Sequence, residues 1–192
     1  LEMLLRNGAV GDDVHDQVTI ALGLVGDTAS RDILLDLIQQ KPRKTLLLGC
    51  ICGIASIADR TSREALASIL QSDKRDADVV LDSLRHCETL FGPEIEKNLV
   101  QLALVEAKKL GKKLPGRDVG NADDLIQECA RVLGRIGRPE SATSLRVLLD
   151  YPLSDNTRRQ VLQSIAEIGN VEDREFLRGL LKNSQHVELA AI

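Results

Sequence analysis

Aromatic side chains are nearly missing from this 192-residue chain: Phe91, Tyr151 and Phe176 make up 2% of it, and there is no Trp. A core built without them must come from Leu, Ile, Val and Ala, side chains suited to closely packed helices. The shortage also argues against base-stacking platforms for single-stranded nucleic acid, which need aromatic faces. No stretch alternates apolar and polar residues with a period of two over any length, so no sheet is expected. The longest apolar run, Thr45 to Ala58, is 14 residues, short of the roughly 20 that cross a bilayer. It lies mid-chain behind Lys41, Arg43 and Lys44, so it reads as a helix buried on most sides and not as a signal peptide.

A global positive charge is also lacking. The formal net charge is −4, which gives no overall field to hold nucleic acid. The charge is uneven, with 10 basic and 16 acidic side chains in residues 1–96 against 15 and 13 in residues 97–192. A linear string of units would therefore have an acidic end and a mildly basic end. Motifs that carry chemistry are equally scarce. Cys50, Cys52, Cys87 and Cys129 sit in apolar helical patterns, with no CxxC spacing and no His-rich run beside them. Neither zinc nor a disulfide is expected, and the cysteines read as small buried hydrophobes. That usage fits a reducing setting such as the cytoplasm. His15, His86 and His186 form no HExxH and have no second ligand nearby in sequence, and the chain contains no GxSxG, P-loop or GxGxxG. No cofactor and no catalysis are expected.

What the chain does contain is a repeat. The motif x-A-L-G-x-I-G recurs with Val25, Ile57, Leu90, Ile136 and Ile168 at its isoleucine position, spaced 32, 33, 46 and 32 residues apart. Three residues earlier stand Leu22, Ile54, Cys87, Leu133 and Ile165. The pattern predicts first helices at about 13–25, 44–57, 76–90, 122–136 and 155–168. Second helices follow at about 29–40, 62–71, 94–110, 140–149 and 173–182. Apolar pairs four residues apart, such as Leu34 and Ile38 or Leu145 and Leu149, give each second helix a core face. Asp27, Asp59 and Asn170 suit N-caps, and Pro93 and Pro139 suit first turns. The expected architecture is all-α, with five helical hairpins (13–40, 44–71, 76–110, 122–149 and 155–182) in a single domain over 1–192.

ALGLVGD (21–27), VLGRIGRPESATSLRVLL (132–149) and SIAEIGNVEDREFLRGLL (164–181) resemble HEAT-like repeats, of the short class also found in phycobilin lyase subunits and deoxyhypusine hydroxylase. The resemblance covers nearly the whole chain and implies an armadillo-like, right-handed α-α superhelix, a solenoid. It does not fix a function, because the family spans scaffolds, adaptors and a few enzymes. It also implies a ladder of polar contacts between neighbouring units, here Asp27, Arg31, Asp59, Arg63, Asn170 and Arg174. LEMLLRN at the start resembles the tail of a second helix, and HVELAAI at the end resembles the opening of a first helix. Further repeats or domains on both sides are therefore expected.

Two basic features are candidate contacts for a partner. One is the insertion that interrupts the period, an irregular loop over 111–121 carrying Lys112, Lys113 and Arg117. The other is a second-helix stripe of Arg146, Arg174, Arg178 and Lys182, the last three at i, i+4, i+8 spacing. Asp32, Asp36 and Glu64 offer an acidic counterpart. The expected function is a non-catalytic protein–protein interaction or scaffolding module. Its alternatives are a structural spacer in a larger protein, phosphate or nucleic-acid binding through the basic half, and, last, a lyase-like enzyme.

Overall fold

The computed structural model describes residues 12–40, 43–71, 77–87, 91–112 and 119–182. Among these the structure is all helical, with ten α-helices and no strand. They are α1 (Asp12–Val25), α2 (Thr28–Gln39), α3 (Lys44–Ile57), α4 (Arg60–Gln71), α5 (Ala77–Cys87), α6 (Glu96–Gly111), α7 (Val119–Ile136), α8 (Pro139–Leu148), α9 (Asp155–Ile168) and α10 (Val171–Lys182), with a 3-10 turn at Pro93–Ile95 before α6. Each helix falls within a few residues of its expected place. A difference of three residues is at α7, which begins at Val119 and takes Val119, Gly120 and Asn121 out of the expected loop. No residue between 119 and 122 forbids helix, and one Gly costs only about 1 kcal/mol there.

The corners explain why the helices stop where they do. Gly26, Gly137 and Gly169 have φ of 76°, 72° and 66°, and Ala58 stands at the same point of its unit with φ 55°. A left-handed residue just past the last turn reverses the chain, and its N–H closes on a carbonyl of that turn, as Gly169 N does on Ile165 O at 3.2 Å. The next helix then starts on a side-chain cap. Asp27 accepts from the N–H of Ser30 at 2.7 Å, Asp59 from Ser62 at 2.6 Å and Asn170 from Asp173 at 2.8 Å. Pro139 opens α8.

The helices gather into two compact units, residues 1–95 and 96–192. In the first, α3 is the hub, packed by α1, α2, α4 and α5. It is buried on most sides through Leu47, Gly49, Cys50, Ile51, Gly53, Ile54 and Ala55. In the second, α7 lies against α6 and α9, α8 against α6, α7 and α9, and α10 against α9. Leu125, Ile126, Cys129, Ala130, Val132 and Leu133 of α7 are all buried. Each fully buried Leu or Ile contributes about 1.5–3 kcal/mol, so aliphatic burial carries both cores.

Successive first helices meet at small residues. A methyl group added at Gly23 of α1 would lie 2.2 Å from the Cα of Gly53 in α3, and one added at Gly134 of α7 would lie 2.8 Å from the Cβ of Ser164 in α9. Gly53 and Ser164 occupy the same register in their units, one residue before Ile54 and Ile165. The helix axes come this close because no side chain stands between them. Within each unit, then, hairpins stack through their first helices in a solenoid-like arrangement. No described helix is long and apolar enough to cross a membrane.

Candidate functional site

The polar contacts between second helices follow a common register. The corner residues are Asp27, Asp59, Gly92, Arg138 and Asn170, and four residues on, in the first turn and a half, stand Arg31, Arg63, Glu96, Ala142 and Arg174. Arg31 of α2 reaches forward to the next corner and donates from Nη1 to Asp59 Oδ2 at 2.7 Å, while also gripping Asp32 at 2.9 Å. This is the expected rung. Hydrogen bonding from the Ser62 backbone N–H, with Arg31 close by, holds the Asp59 carboxyl below its usual range. Asp27 is also held low, by hydrogen bonds from the Ser30 side chain and backbone. The corner ahead of Arg63 is Gly92, which has no carboxylate.

In the second unit the rung returns with its signs exchanged. Glu96, in the register of Arg31, accepts from Arg138 Nη1 at 3.3 Å and from the hydroxyl of Ser141 at 2.6 Å. Arg138 occupies the corner that Asp59 fills earlier, and as an obligate donor it makes no cap hydrogen bond to its helix. Reading the pattern as "Asp at the corner, Arg four later" missed this pair. Both columns change sign together, and that paired inversion was the available signal.

A third rung replaces the position that Ala142 leaves empty. Arg146, one turn further along α8, donates from Nη2 to Oδ1 of Asp173 in the first turn of α10. Asp173 is fully buried. The guanidinium also lies over the Phe176 ring, 5.0 Å from its centroid, a cation–π geometry. Arg146 Nε and Asp173 Oδ2 are buried and make no hydrogen bond. The contact is therefore a single charge-assisted hydrogen bond and not a bidentate fork.

The basic stripe therefore divides. Arg146 is engaged within the chain, whereas Arg174 and Arg178 are exposed and make no ion pair among the described residues. Lys182 closes α10, but its side chain lies outside the described residues, as do Lys113 and Arg117 of the insertion. Lys112 is an exposed turn residue whose N–H bonds to Lys109 O at 3.2 Å. On the acidic side, Glu64 pairs with Arg60 at 2.8 Å, Asp32 with Arg31, and Asp36 is exposed.

A shallow cleft of ≈ 200 Å³ opens between α8, α9 and α10, with Leu149, Leu162, Phe176 and Leu180 as apolar walls and Arg146, Asp150 and Arg158 as polar ones. That is below the roughly 300–1,000 Å³ of ordinary ligand pockets. Arg158 donates to the carbonyls of Leu149 at 3.2 Å and Tyr151 at 3.4 Å, closing the C-terminal end of α8. Phe176 and Arg174 are two residues apart and hence about 200° around the helix, so the cleft and the exposed arginines lie on different sides of α10. Among the described residues no group of acidic, Cys or His side chains could hold a metal ion. Among the described residues Cys50, Cys52 and Cys129 form no disulfide. Burial pushes the Cys129 thiol well up, and the nearby Glu106 and Glu128 add to it, so it is a packing residue and not a nucleophile.

What the geometry assembles is a series of inter-helix rungs ending in two exposed arginines. Compared with known proteins, the chain matches no protein-family model, and no curated protein matches its sequence.

Proposed function

We propose that this chain is a non-catalytic protein-interaction module built of HEAT-like helical hairpins, and that it engages an acidic partner through the exposed arginines of α10. One observation carries this reading. Arg31 and Arg146 reach forward from their second helices to a carboxylate at the start of the next one. Arg174 and Arg178 hold those same two registers on α10, yet both are exposed and have no such carboxylate among the described residues. A pair of cations so placed favours a carboxylate-bearing helix end over a diffuse polyanion, because the internal rungs match single side chains and not a phosphate track. The contact is expected to be modest and salt-sensitive, with charge governing on-rate and specificity more than strength.

The test is affinity capture from the source lysate at low and high salt, beside an Arg174→Glu/Arg178→Glu variant. A stoichiometric protein retained at low salt by the wild type, and lost in the variant, supports the reading. Equal retention by both versions, or none by either, removes these arginines as a partner site.

A further inference from the structure

The cleft between α8, α9 and α10 is a second site, distinct from the exposed arginines: we infer that it binds a free apolar α-amino acid of about the size of leucine, holding carboxylate, ammonium group and side chain together. The cleft lies inside the stack. Its α10 wall is the one turned to the preceding hairpin, because the Phe176 ring meets Arg146 of α8, and Leu180, four residues on, stands about 40° from Phe176 around the helix. Every wall is a described residue between 146 and 180.

Charge carries the inference furthest. Asp150, in the turn that ends α8, is exposed, and its carboxylate makes no hydrogen bond or ion pair among the described residues. Arg146 is fixed through Nη2 by Asp173 and by the Phe176 ring, while its Nη1 is neither bonded nor buried among the described residues. Arg158 is fixed by the carbonyls of Leu149 and Tyr151, at 3.2 and 3.4 Å. A guanidinium has five N–H donors, so both arginines are held in place with donors to spare. One cleft thus presents a carboxylate and two guanidiniums that do not pair with each other. A ligand carrying both signs matches them: its carboxylate takes the spare donors and its ammonium group takes Asp150. A simple carboxylate leaves Asp150 unmatched, and a simple amine faces two cations. A residue at a peptide terminus carries one of the two charges but not both.

Size and lining set the rest of the ligand. The ≈ 200 Å³ of the cleft excludes a nucleotide-sized cofactor but admits a single side chain, since a cavity of about 150 Å³ holds benzene. Leu149, Leu162, Phe176 and Leu180 give that side chain an apolar surround. Because intrachain contacts already hold both guanidiniums, little ordering is left for the ligand to impose.

Titration of the purified 192-residue protein, followed by two-dimensional amide NMR, tests this with three probes: leucine, N-acetyl-leucine, which lacks the ammonium group, and leucinamide, which lacks the carboxylate. Asp150→Asn accompanies the wild type. It changes an exposed side chain, and its own spectrum shows whether the fold persists. Leucine should shift amides around 146–150, 158–162 and 176–180 saturably, with a dissociation constant on the order of 1 mM for so shallow a cleft. Both derivatives should bind more weakly. Asp150→Asn should weaken leucine about fivefold, the most that one exposed ion pair accounts for, and leave N-acetyl-leucine unchanged. Absence of saturable shifts with leucine, or shifts confined to other helices, overturns the inference. N-acetyl-leucine or leucinamide binding as tightly as leucine also overturns it, because the cleft then reads only one of the two charges. Unaltered leucine binding in Asp150→Asn does the same. Arg174 and Arg178 lie on another side of α10, so the lysate capture stands or falls separately.

Discussion

At the scale of single residues, the fourfold corner position makes Ala58 the exception. Gly26, Gly137 and Gly169 adopt a left-handed backbone without a Cβ, whereas Ala58 does so with one, at about 1–2 kcal/mol. Ala58→Gly should therefore stabilise the protein by roughly 0.5–1 kcal/mol after the glycine's greater unfolded-state freedom is counted, read as a higher urea midpoint at unchanged slope. The capping carboxylates set a pH dependence. Asp27 and Asp59 titrate lower in the folded chain than their ordinary value, so the unfolded chain binds protons first as the solution is acidified. Their contribution is complete above the unfolded carboxylate pKa of about 4 and is lost as the pH falls through the depressed folded values. A series of denaturation midpoints from neutral pH to about pH 3 should show this decline, and Asp59→Asn should make it shallower. Equal slopes in wild type and variant would remove Asp59 from the account.

At the scale of helices, the glycines separate crossing points from open faces. Gly23→Ala forces a methyl group against the backbone of α3 and should cost about 3 kcal/mol, the upper part of the overpacking range, since neither backbone can rotate away. Gly179, mid-helix in α10, has nothing within 4 Å of an added methyl, so Gly179→Ala should gain about 0.5–1 kcal/mol from helix propensity alone. Opposite signs for the same substitution, measured by urea unfolding, distinguish close approach from a general effect of glycine. The helices themselves were legible in the sequence because apolar spacing, the Gly corner and the Asp or Asn cap all pointed to the same boundaries. The Arg31–Asp59 rung was legible for the same reason. The Glu96–Arg138 rung was not, because a salt bridge is indifferent to which side carries which sign while a sequence motif is not. Arg146 was read with the exposed stripe because spacing on one helix reports a shared face but not what the next helix brings to it. Asp173 supplies that partner from 27 residues away.

At the scale of the whole chain, protection should follow the cores. Amide hydrogen exchange should be slowest in α3 of the first unit and α7 of the second, where Cys50, Ile54, Ile126, Cys129 and Val132 are fully buried, and faster in α10, much of whose surface is exposed. Faster exchange in α3 or α7 than in α10 would contradict the packing. The rungs have a further consequence for how such a chain can be rearranged. If every joint used the same pair, any hairpin could follow any other with the same match. Here a hairpin bearing Arg138 at its corner, placed after α2, would set two guanidiniums against each other. One bearing Asp59, placed after α6, would set two carboxylates together. Those two joints thus reject each other's hairpins, because exchanging them sets like charge where the native stack sets its opposite.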